Sequence, residues 1–153
     1  MAKQTPYRTL APEKRVALVR QMMASKEGRA LMIARLAAKN GFRPMTLQSW
    51  PADKLAKEIV RTKAESPEDE LNLLHLLYVE LEPQIQATFL DAAGVNHEKG
   101  VMADDLEAPY SDAAGVERGI AAVRAAHGED GERYLQTLAK YASEGWPGIA
   151  AVE

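Results

Sequence analysis

The side chains best equipped for chemistry lie together in one stretch: Asp91 and His97 stand six residues apart, with Asp104, Asp105 and Glu107 following. An imidazole and carboxylates gathered on irregular backbone are the ingredients of a divalent-metal or acid–base site. Their spacing matches neither the Ca²⁺-binding EF-hand loop nor a His-Glu-x-x-His zinc helix. A plainer expectation competes: Gly94 caps a helix, His97 bonds to backbone or to Asp91, and the acids are solvated. On that expectation no metal and no cofactor is bound, and Asp91, His97, Asp104 and Asp105 are the metal candidates should it fail. His75 with Glu82, two turns on, is a second pair with ligand or general-base chemistry, against the simpler reading of a half-buried His at a helix edge. His127 precedes Gly128 near a helix C-terminus, where an imidazole interacts favourably with the helix dipole.

Other catalytic patterns are missing. No Gly-rich phosphate cradle occurs, and no nucleophile elbow surrounds a serine. The chain has no cysteine, which excludes disulfides, thiolate ligands and a Cys nucleophile. These exclusions favour a protein that is not an enzyme, with a small metal-dependent enzyme using the 91–107 region as the third reading.

Charge points elsewhere. Residues 1–65 carry fourteen Lys/Arg against five Asp/Glu, and residues 66–153 carry five against seventeen. The overall net charge of −3 therefore hides a basic lobe followed by an acidic one, which points to a binding role for the first.

The elements that must carry these residues are helical. Ala and Leu supply 42 residues, Val and Ile only 14, so the apolar content favours helix over strand. The expected fold is an all-α compact bundle of six or seven helices. Pro12 and Glu13 open a helix over 12–24, and a second runs over 26–39 to Asn40-Gly41. A loop with Phe42, Pro44, Leu47 and Trp50 follows. The third helix begins near Pro51 and sets Leu55, Ile59 and Val60 on one face, Lys54, Lys57 and Arg61 on another. Ser66-Pro67-Glu68-Asp69 is a strong helix start and the expected lobe boundary. Residues 71–81 are almost wholly apolar, with a polar strip of Asn72, His75 and Glu82, and read as a central helix broken near Pro83. A short helix then carries Ile85, Phe89 and Leu90 to Gly94. Residues 95–110 read as a loop, Ser111-Asp112 as a helix start, and 128–131 as a turn before the last helix. Gly115, Gly119, Ala122 and Ala126 form a stripe of small side chains suited to a helix of a second copy or, more simply, to the 71–81 helix.

Ala34-Arg35-Leu36-Ala37-Ala38-Lys39-Asn40-Gly41-Phe42, then Leu47 and Leu55-Ala56-Lys57-Glu58-Ile59-Val60-Arg61, resemble the helix-extended-loop-helix modules of the transcription terminator Rho and of SAP domains. The resemblance covers about residues 30–63, and the chain departs from the pattern by a longer loop with Pro44 and Trp50-Pro51. It implies binding of DNA or RNA, with phosphate contacts from Arg35, Lys39, Arg43, Lys54, Lys57 and Arg61. Exposed rings among them would stack on bases. Phe42 and Trp50 are the nearest, though both also suit plugging the gap between two helices, and Tyr7 alone reads as free.

The competing function is an interaction or assembly module. In it the two lobes pair their charges within one chain or head-to-tail between two, and the basic residues otherwise solvate the surface. The expected partners are thus nucleic acid or an acidic protein surface, with a homodimer as a further option. No stretch of 18 apolar residues occurs and the start has none of signal-peptide length, so no membrane partner is expected and the expected location is the cytoplasm.

Overall fold

Capping chemistry sets the helix starts. In the computed structural model, which describes residues 4–152, α1 (Pro12–Met22) has its proline in the first position, where no amide hydrogen is needed. Ser25 Oγ accepts the Gly28 N–H at 3.0 Å and opens α2 (Lys26–Asn40). That helix ends at Gly41, whose N–H reaches Ala37 O at 2.8 Å. A short α3 (Pro44–Gln48) comes next, where sequence patterning predicts only a loop. Five residues are too few to display a helical period, and α3 is anchored by one buried side chain, Leu47.

α4 (Ala52–Thr62) buries Leu55, Ala56, Ile59 and Val60 and leaves Lys54, Lys57 and Arg61 exposed. It packs on α1, and burying Leu55 and Ile59 contributes about 2 kcal/mol each. α5 (Pro67–His75) opens with a reciprocal box: Ser66 Oγ accepts the Asp69 N–H at 3.1 Å and Asp69 Oδ2 accepts the Ser66 N–H at 2.9 Å.

The chain divides into two compact units, one ending at Leu76 and the next beginning at Leu77. The first holds fourteen Lys/Arg against eight Asp/Glu, the second five against fourteen.

The predicted helix over 71–81 is two pieces. α5 stops at His75, and Leu76–Leu81 winds as a π-helix closed by the Glu82 N–H on Leu77 O at 2.7 Å. Leu71 and Leu81, which belong to the apolar run, are 40% and 47% exposed. Pro83 then starts α6 (Pro83–Ala93). Residues 95–110 are not all loop: β1 (His97–Glu98) and β2 (Val101–Met102) pair antiparallel around Lys99 and Gly100, both with positive φ, as a two-residue hairpin turn requires.

Asp112 caps α7 (Ala113–Tyr141) by accepting the Gly115 N–H at 2.7 Å. This element is two arms meeting at Gly128, whose φ of 55° and ψ of −128° are non-helical, and the Arg124–Glu132 pair at 2.8 Å spans the joint. Of the small-residue stripe, Gly115 and Gly119 face α6, and Ala126 is exposed. A Cβ on Gly119 would lie 2.7 Å from the Phe89 ring, and one on Gly115 2.9 Å from Ala93 O. Phe89 in turn meets Tyr134 and Trp146 edge-on at 6.0 and 4.9 Å.

The protein is therefore all-α, with seven α-helices and one two-stranded hairpin among the described residues. No described helix is long and apolar enough to cross a membrane.

Candidate nucleic-acid interface

The corner where α2, α3 and α4 meet is built from the inside. Leu47 sinks into the core of the first unit, and Arg29 of α2 donates from one guanidinium nitrogen to Trp50 O at 2.8 Å and Gln48 O at 3.1 Å. These bonds satisfy the carbonyls of the α3–α4 turn and fix where Trp50 stands. Phe42, just beyond the end of α2, meets the Trp50 ring edge-on, with centroids 5.6 Å apart. Lys54 Nζ lies over that indole, 4.0 Å from its centroid, a favourable use of the ring's negative face. Trp50 is half-buried, but Phe42 is 40% exposed and Met45 82%.

The six cationic candidates divide by partner. Arg35 is held by Asp69 through Nε–Oδ2 at 2.8 Å and Nη2–Oδ1 at 3.4 Å, and this hydrogen bond raises the guanidinium pKa further. Lys57 pairs with Asp53 at 2.9 Å along its own helix, and Asp53 also takes Arg20 at 3.2 Å. The Lys57 hydrogen bond holds the Asp53 carboxyl below its ordinary value, against an opposing effect of desolvation. Arg61 forks onto Glu58, whose carboxyl the hydrogen bonds lower likewise. Lys39, in the last turn of α2, and Arg43, the residue before α3, are exposed and make no ion pair with any described residue. Lys54 lies over the indole and makes no direct ion pair, though its charge helps to lower the Glu58 carboxyl one turn on.

Tyr7, expected to be free, is fully buried, and its hydroxyl donates to Glu65 Oε2 at 2.5 Å. Arg8 bridges Glu65 at 3.4 Å and Glu70 at 3.4 Å, and Thr5 Oγ1 donates to Glu70 at 2.5 Å. Acids around the α5 start thus clamp residues 5–8 against it. Sequence patterning singles out neither Glu65 nor Glu70, because their burial carries no local signal.

The histidine and acids of the second unit sit beside an open groove of about 750 Å³, lined by Val79, Pro83, His97, Met102 and Asp104 among others. His97 has both ring nitrogens engaged: Nδ1 accepts the Gly100 N–H at 2.9 Å, and Nε2, which then carries the proton, reaches Asp91 Oδ1 at 2.5 Å. An imidazole bonded at both nitrogens braces the hairpin and offers no lone pair to a metal or substrate. Asp105 and Glu107 are exposed, and among the described residues no three His, Asp or Glu side chains gather as a metal would need. His75 is exposed, and His127 Nε2 lies 2.9 Å from Thr88 Oγ1.

The chain matches no protein-family model, no curated protein and no solved structure.

Proposed function

We propose that the chain is a non-enzymatic binding protein that contacts nucleic acid through the α2–α3–α4 corner, with Lys39, Arg43 and Lys54 as its principal phosphate contacts. One observation carries the reading: all three cations are exposed and in no direct ion pair, Lys39 and Arg43 with no carboxylate partner and Lys54 only within the field of Glu58, and Phe42 and Met45 beside Arg43 are exposed apolar side chains. Lys57 and Arg61 contribute a diffuse positive field, weakened by Asp53 and Glu58. Arg35 serves the fold through Asp69.

Phosphate contact displaces counterions, so affinity falls with salt at about 0.9 logarithmic units per contact on duplex DNA and about 0.7 on single strands. The test is salt-titrated fluorescence anisotropy with the full chain and labelled oligonucleotides. Reversing Lys39, Arg43 and Lys54 to Glu together should flatten the salt slope by about 2.7 on duplex DNA or about 2.1 on single strands and weaken binding to all sequences alike. If the unaltered chain binds no oligonucleotide at low salt, the reading is wrong, and the assembly reading, with an acidic protein surface as partner, replaces it.

A further inference from the structure

We infer that the strand this corner takes is unpaired, with a base stacked on Phe42 over Met45 while the flanking phosphates meet Arg43 and its neighbouring cations. The inference rests on the nucleic-acid reading above and adds which form is bound.

The argument begins with what the corner exposes. Phe42 and Met45 lie three residues apart on either side of Arg43, and are 40% and 82% exposed. Were Phe42 only a cover for Trp50, the ring would be enclosed by that contact. Instead, Gly41 in its left-handed conformation turns the chain out of α2 immediately before it, and the ring meets Trp50 at an interplanar angle of 61° rather than stacking flat. Beside that tilted contact, 40% of Phe42 stays open.

The partner's chemistry follows from the mixture. An acidic polymer is selected by Lys39, Arg43 and Lys54; an apolar ring and a thioether among those cations favour one that also carries flat apolar faces. Duplex bases are stacked on one another and cannot present a face to a side chain. Bases of a single strand can, and base–aromatic stacking is tolerant of sequence. The indole of Trp50 is less available, because Lys54 already covers it. Phe42 is therefore the stacking residue and Trp50 its support.

The test separates stacking from charge with the full chain and two probes, a twelve-nucleotide single-stranded DNA and a duplex of the same length, at one low salt concentration. Phe42→Leu keeps an apolar side chain against Trp50 and removes the ring; Phe42→Tyr keeps the ring. Stacking predicts that Phe42→Leu weakens single-strand binding about 5- to 100-fold, leaves duplex binding unchanged, and that Phe42→Tyr binds like the parent. If Phe42→Leu binds the single strand as tightly as the parent, or weakens both probes equally, the unpaired-strand inference falls while the phosphate reading stands. If the parent chain binds neither probe, both fall together.

Discussion

Arg35 Nε donates at 2.8 Å to Asp69 Oδ2, the oxygen that also accepts the Ser66 N–H at 2.9 Å. One carboxylate therefore closes the N-terminus of α5 and ties that helix to α2. Its side chain is 1% exposed, whereas that of Arg35 is 35% exposed, so the two partners are unequal. Losing Asp69 removes a cap and a buried acceptor; losing Arg35 leaves the carboxylate still bonded by a backbone donor at a positive helix end.

The first expectation is thus an ordering. Asp69→Ala should destabilise the fold by about 2 kcal/mol, most of it from the lost box and the lost charge-assisted bond, and Arg35→Ala by less. Urea unfolding monitored by circular dichroism measures both. A larger loss for Arg35→Ala would show that the ion pair, not the cap, dominates.

Alkaline stability gives a second expectation. Burial raises the phenol pKa of Tyr7, assisted by the neighbouring Glu65 carboxylate, and burial likewise raises those of Tyr78 and Tyr134. Each group keeps its proton in the folded chain where the unfolded chain has lost it. Their stabilising contribution is thus complete below about pH 10, the unfolded value, and is lost as pH rises above it. Each costs about 1.4 kcal/mol per pH unit, so three together give a slope near 4 kcal/mol per unit. Phenolate absorbance at 295 nm from these rings should appear together with the loss of helical ellipticity. Full tyrosine ionisation ahead of unfolding would contradict the burial.

Gly119 supplies a third. An interior helical Gly→Ala change ordinarily gains up to about 1 kcal/mol, but here the new methyl would lie 2.7 Å from the Phe89 ring and 3.2 Å from Phe89 O. Overpacking of this kind costs about 1–3 kcal/mol. Gly119→Ala should therefore lower the urea midpoint. An unchanged or raised midpoint would mean that α6 gives way without cost.

Local signals made most of the fold legible, and non-local ones hid the rest. Pro12, Ser66-Pro67 and Asp112 mark helix starts because capping is settled within four residues. α3 and the β1–β2 hairpin escaped because neither is long enough to show a period, although Pro44 and Lys99-Gly100 mark their turns. The almost unbroken apolar run over 71–81 concealed the change from α5 to a π-helix, since a stretch with few polar residues gives no phase. Within the candidate interface, the six cations were legible by type alone. The carboxylates beside Lys57 and Arg61 stand four and three residues away on the same helix, within ordinary helical spacing, whereas the partner of Arg35 is Asp69, thirty-four positions on, which no spacing rule contains.

Gly128 has a backbone that is the mirror image of an extended, polyproline-like residue, φ 55° and ψ −128°, and a Cβ built there meets nothing within 4 Å. What the joint in α7 requires is therefore handedness rather than space. An L side chain is disfavoured by its own backbone at that point, whereas a D residue prefers these angles and restricts the unfolded chain. By its backbone preference alone, D-alanine introduced at position 128 by chemical synthesis suits the joint as no genetically encoded residue other than glycine does.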